Sequence, residues 1–204
     1  MPMSTYLRLS RVAVLLFSSL VLDTSAESPS MTAPPPISAS DNSHTIADIS
    51  SNTRAQYDAL AKVLPGKVLL PSDATYQASR TSYFSKQEEE ISPGCIVKPL
   101  NTEDVAAAVK ALASVYESSH GSAKFAVKGG GHTPWAGSAS IQGGAVVDMT
   151  SIKAVTLNSD RNVTSVGGGA RWSDVYSYLE PEKLAVSGGR AAQVGVGGLT
   201  LGGS

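Results

Sequence analysis

KGGGHTPWAGS, Lys128 to Ser138, follows directly on a run from Lys124 to Val127 that reads as a strand. Three consecutive glycines let the chain turn sharply and let another group approach the backbone, at an entropic cost that asks for a reason. Successive amide N–H groups in such a turn can converge into a nest for an anionic phosphate. His132 comes next. Its neighbours carry almost no side chain, so its imidazole is offered to whatever the turn holds, although a buried, hydrogen-bonded histidine is the commoner arrangement.

The same feature recurs downstream. All but three of the 19 glycines (Gly66, Gly94 and Gly121) lie between Gly129 and Gly203. They cluster at Gly129–Gly131, Gly167–Gly169, Gly188-Gly189 and Gly195–Gly203, each after a strand-like run. Several such turns on one side of a sheet could wrap a diphosphate without Lys or Arg. Tight turns in an antiparallel fold are the plain alternative. No Gly-Lys-Ser or Gly-Lys-Thr is present, which excludes a P-loop. The dinucleotide spacing G-x-G-x-x-G also fails, because its third glycine would fall on Thr200, Pro134 or Trp172.

Composition narrows the classes further. The 204 residues suit about one domain, or two small ones. Sixteen Lys and Arg against 17 Asp and Glu leave no cationic excess for a nucleic-acid binder. Apolar residues at 42% suffice for a core. Cys95 is the only cysteine, so an internal disulfide and a zinc cluster are impossible, and its expected role is buried packing. With only His44, His120 and His132, no metal site is expected. His44 reads as a solvated loop residue and His120 as a helix C-terminal residue.

At the N-terminus, Arg8 and Arg11 precede the apolar run Val12 to Leu22 and the small residues Thr24-Ser25-Ala26. This reads as a secretory signal peptide over residues 1–26, too short to span a bilayer as a helix. Residues 27–50, rich in Ser, Thr and Pro, read as a disordered linker. Asn162-Val163-Thr164 is a glycosylation sequon, which has meaning only in the secretory pathway. A secreted protein with no membrane span after leader removal is therefore expected.

The rest divides into an N-terminal helix and loops, 51–90, and a main domain, 91–204. Helices are predicted over Asn52 to Leu64, after Asn101 with Val105, Val109, Leu112 and Tyr116 on the inner face, and over Trp172 to Leu179. Ser72 to Gln87 reads as turn and loop, and Glu88-Glu89-Glu90 as a solvated charge run. Strands are predicted at Lys67 to Leu70, Cys95 to Val97, Lys124 to Val127, Ala145 to Val147 and Leu184 to Val186. A hairpin joins Val155–Leu157 to Val163–Val166, and the chain finishes in a glycine-rich loop. This order is α+β rather than strictly alternating.

Four segments in order now carry a resemblance: Lys128–His132 with Gly137-Ser138, Val147-Asp148-Met149, Val166–Gly169 with Trp172 and Val175-Tyr176, and Val194–Gly203. Together with Pro93–Pro99 they resemble the PCMH-type FAD-binding domain of vanillyl-alcohol oxidase and berberine-bridge-enzyme-like oxidoreductases, in their fungal form. The resemblance covers Ile91 to Ser204. It implies two α+β subdomains, the second incomplete here, with FAD held by Gly129, Gly130, Gly131, His132, Thr133, Gly137, Ser138, Gly188, Gly189, Val194, Gly195, Gly197, Gly198 and Gly202. It further implies a covalent bond from His132 to the flavin's 8α-methyl carbon. Ala191 stands where some relatives carry a second, cysteine tether, so one link at most is expected.

By the same resemblance the function is FAD-linked oxidation of a small organic substrate, with molecular oxygen as electron acceptor, in fungal secondary metabolism. The family continues into a substrate domain, and Ser204 stands where it tends to have another glycine. The expectation is thus a truncated N-terminal part whose catalytic residues are unknown. The alternatives are a non-catalytic flavin-binding or unfolded remnant, and a secreted structural protein in which His132 is incidental.

Overall fold

A computed structural model describes residues 50–202; the expected signal peptide (1–26), nearly all of the expected linker, His44, Gly203 and Ser204 lie outside the described residues. α1 (Ser51–Val63) begins at Ser50, whose hydroxyl accepts the Thr53 amide at 3.2 Å. It stops before Pro65-Gly66, where Gly66 adopts φ +76°. β1 (Val68–Leu69) follows. Ser72 to Gln87, expected as turn and loop, instead contains α2 (Ala74–Arg80) and the start of α3 (Lys86–Glu89). Neither is long enough to repeat a helical period, and α2 buries only Tyr76 and Ser79. Nor is Glu88 solvated: it is fully buried, and its Oε1 accepts the Ala139 amide at 2.9 Å.

β2 (Cys95–Val97) leads to α4 (Thr102–Ser118), where the Asn101 side chain accepts the Asp104 amide at 2.8 Å. Glu103 and Asp104 add the acidic first turn that a helix N-terminus favours. The buried residues of α4 are Asp104, Ala108 and Leu112, while Val109 and Tyr116 are exposed. Ala108 and Leu112 face the core shared with Leu60 of α1 and Leu64 at its end, and α4 packs closely on α1, so the inner face is turned away from Val109 and Tyr116. His120 just beyond the helix is exposed and takes φ +52°.

β3 (Phe125–Lys128) and β4 (Ala145–Asp148) complete a four-stranded sheet of order β1-β2-β4-β3. β1 is antiparallel and the other pairings are parallel, with Val97 opposite Val147 and Lys128 opposite Asp148. Cys95, Val97, Ala145 and Val147 pack against Leu60, Leu64, Ala108 and Leu112. On the other face Ile96 and Val146 meet Tyr76, whose hydroxyl donates to the Pro93 carbonyl at 2.6 Å. Strands buried on both faces account for the unbroken apolar runs.

A short 3₁₀ turn, Met149–Ser151, leads to the antiparallel pair β5 (Val155–Leu157) and β6 (Thr164–Val166). α5 (Trp172–Leu179) has the predicted bounds. The final loop is instead α6 (Val196–Gly202), which buries Val196 in a second core with Ala170, Trp172, Val175 and Leu179. Leu184 to Val186 is not a strand; Leu184 and Val186 pack on this core without a backbone partner strand. The α+β expectation holds. No helix of the described residues is long and apolar enough to cross a membrane.

One buried side chain ties α1 to the sheet. Gln56 Nε2 donates to the Ala123 and Lys124 carbonyls at 3.0 and 2.9 Å, and its Oε1 accepts the Ala145 amide at 3.1 Å. Gln56→Leu strands two buried backbone groups and one part-buried one, so a loss of about 2–4 kcal/mol is expected in urea unfolding.

Candidate functional site

Because β3 and β4 run parallel, they end together, and the Gly129–Gly131 turn leaves the sheet beside Asp148. Gly131 is buried at φ +63°, where a Cβ would lie 3.0 Å from the Tyr83 ring and 3.3 Å from Lys128 Cε. Gly130 meets Gly195 backbone to backbone: a Cβ on Gly130 would lie 2.5 Å from Gly195 Cα, and one on Gly195 would lie 2.6 Å from Gly130 N. The Gly168 carbonyl sits between Gly129 and Gly197, at 3.4 and 2.9 Å from their Cβ positions. Three of the four glycine clusters therefore converge at the carboxyl ends of the strands, the end at which open α/β sheets bind ligands.

Val194 and Gly195 are held there by α5. The Trp172 amide donates to the Val194 carbonyl at 3.0 Å, and the Val196 amide to the Ala170 carbonyl at 2.9 Å. Gly188 and Gly189 play another part, packing on the Trp172 indole, and Tyr176 Oη donates to the Gly189 carbonyl at 2.6 Å. They support α5 rather than join the convergence. Gly137, at φ +83°, and Ser138 lie in an exposed loop. Gly198 and Gly202 sit on α6 with open space where a Cβ would be.

Among the described residues, the amides of Gly131, His132 and Thr133 donate to no protein acceptor. Three backbone donors in a row thus remain beside the half-buried imidazole, a donor set suited to an anion. Arg171, not anticipated from the sequence, adds positive charge. Its guanidinium donates to Gln193 Oε1 at 2.7 Å and makes a long contact, 3.5 Å, with the Gly130 carbonyl. Two surface cavities lie elsewhere. The larger, about 740 Å³, is lined by Gln56, His120, Lys124 and Gly144 at the opposite end of β3 and β4. The smaller lies between α5 and residues 184–186. Neither offers a comparable row of free backbone donors next to a histidine.

A family model described as an FAD binding domain matches residues 93–204. The chain belongs to this FAD-binding family. FAD-dependent monooxygenase CTB5 of Cercospora beticola is 37% identical over 142 residues, covering 69% of this chain and 27% of that protein. FAD-dependent monooxygenase sdcF of Emericella nidulans is 35% identical over 145 residues, covering 71% and 29%. Among solved structures, 6-hydroxy-D-nicotine oxidase from Arthrobacter nicotinovorans superposes with a TM-score of 0.54 at 26% identity, covering 65% of this chain and 27% of that one. The chain spans under a third of the length of these relatives. Its fold is the PCMH-type α+β arrangement expected from the glycine motifs.

In this FAD-binding domain the strand ends beneath the histidine turn are charged and buried. Lys128 Nζ donates to the Ser79 carbonyl at 2.7 Å and Ser82 Oγ at 2.6 Å, and lies 3.7 Å from Asp148. Asp148 also accepts from the Ser79 hydroxyl and, at 3.0 and 2.6 Å, from the Thr150 amide and hydroxyl. Burial pushes the Asp148 carboxyl up, but Lys128 and these hydrogen bonds outweigh it and hold it below the usual carboxylate range. Burial holds the Lys128 ammonium below its ordinary value, with Asp148 offsetting part of the effect.

Since Asp148 is the stronger acid when folded, the unfolded chain binds the extra proton. Its stabilisation is complete above about pH 4 and is lost as pH falls through the depressed folded value. Asp148→Asn is expected to lower the urea midpoint at neutral pH and to flatten its fall on acidification, checked by urea titrations at several pH values.

Proposed function

We propose that this chain carries the FAD site of an oxidoreductase that oxidises a small organic substrate with molecular oxygen as acceptor, in fungal secondary metabolism. The observation that carries the reading is the convergence of side-chain-free turns on three unpartnered amides next to His132. The amides of Gly131, His132 and Thr133 bind the diphosphate, and Arg171 adds charge complementarity. Gly129, Gly130, Gly195 and Gly197, with Val194, form the floor on which it rests. Gly137, Ser138, Gly198 and Gly202 lie further out, and Gly188 and Gly189 act by holding α5. When bound, FAD supplies the capacity to take two electrons from an organic substrate. His132 would hold the flavin through a bond from an imidazole nitrogen to the 8α-methyl carbon. The oxidase and monooxygenase names of the relatives support the reaction class.

The reading includes passage through the secretory pathway, supported by the apolar run Val12 to Leu22 and by the sequon at Asn162, which is exposed at the β5–β6 turn.

Two outcomes are expected. On a denaturing gel of the full chain, flavin fluorescence stays with the protein band and disappears in His132→Ala; a dark wild-type band would overturn the covalent link. From a eukaryotic secretory host, the chain shifts on deglycosylation and Asn162→Gln removes the shift; an unshifted wild-type band would refute modification there.

A further inference from the structure

The imidazole of His132 has no side-chain hydrogen bond among the described residues, yet its ring has a defined neighbour. Phe84 stacks on it with ring centroids 4.0 Å apart and planes 19° from parallel. Phe84 is 62% exposed, so burial does not explain its place. Its backbone, by contrast, is firmly held. The Phe84 amide donates to the Gly131 carbonyl at 2.9 Å. Next to it, Tyr83 is buried, donates to the Ala139 carbonyl at 2.9 Å, and presents its ring to the Lys128 ammonium at 4.2 Å. Lys128 in turn grips Ser79 and Ser82. Residues 79–84 are thus a strap fastened to the sheet end, and its last residue supplies an aromatic face to the histidine.

We infer that Phe84 is a positioning residue, fixing the plane of the His132 imidazole for bond formation with the flavin. This rests on the flavin linkage proposed above. Forming the N–C bond breaks one C–H bond of the 8α-methyl group and the imidazole N–H. The two protons and two electrons released leave with dioxygen as hydrogen peroxide, so dioxygen is the required co-reactant. A ring free to rotate reaches the reacting carbon in the correct plane less often. An aromatic pair is worth enough to change that frequency roughly three- to tenfold.

The test adds FAD to apo full-length chain in air and follows protein-bound flavin after denaturation, for wild type and for Phe84→Ala, Phe84→Leu and Phe84→Tyr. The expected result is attachment about three- to tenfold slower in the alanine and leucine variants and restored by tyrosine. In the apo proteins, the His132 ring protons should be shifted upfield by the aromatic face in wild type and Phe84→Tyr only. Wild-type attachment rates in Phe84→Ala, or rescue by leucine as complete as by tyrosine, overturn the inference and leave the linkage intact. No attachment in wild type overturns the linkage and the inference together. If the alanine variant loses its fold, the contrast between tyrosine and leucine decides.

Discussion

The contact between Gly130 and Gly195 is the constraint on which the rest of the architecture depends. Here a turn leaving the parallel sheet touches a turn belonging to the α5–α6 core, with no side chain between them. A methyl group on either residue would occupy the other's backbone. The two cores meet through such turns rather than through large apolar side chains. The close approach brings peptide groups of both units side by side. Glycine's entropic cost at these positions is offset elsewhere, by the buried strands and by the docking of Trp172 and Val196.

Around that contact the fold arranges its charges in tiers. The buried Lys128–Asp148 pair occupies the sheet end and reaches back to Ser79 in α2 and Ser82 just after it. Above it come the free amides, and beside them the Arg171 guanidinium. Breaking a buried pair costs more than the pair contributes, because the partner is left charged in an apolar setting. Lys128 and Asp148 therefore read as a device for holding two segments in register more than as a source of stability.

Much of this was legible in the sequence because it is local. The strand before Gly129, the turn itself, the hairpin after Ile152 and the bounds of α5 follow from periodicity and turn residues in one window. What stayed hidden depends on residues distant in the chain. Phe84 and Arg171 reach the histidine turn only through the fold, and nothing in their own neighbourhoods marks them. The buried face of α4 differs from the expected one because Val109 and Tyr116 point outward while Ala108 and Leu112 enter the core with Leu60 of α1 and Leu64 at its end. Glu88 was lost in an acidic run whose other members are not fully buried. The terminal glycines form α6 because Val196 has a core to enter, which no propensity scale records.

Cys95 shows what such packing brings with it. The thiol lies fully buried in β2, and burial pushes it up to about 12. At neutral pH it is neither a thiolate nor within reach of an electrophile. As the chain's only sulfhydryl, it acts as a sealed timer: alkylation can proceed no faster than the central strands part, so its rate reports how often the whole sheet opens.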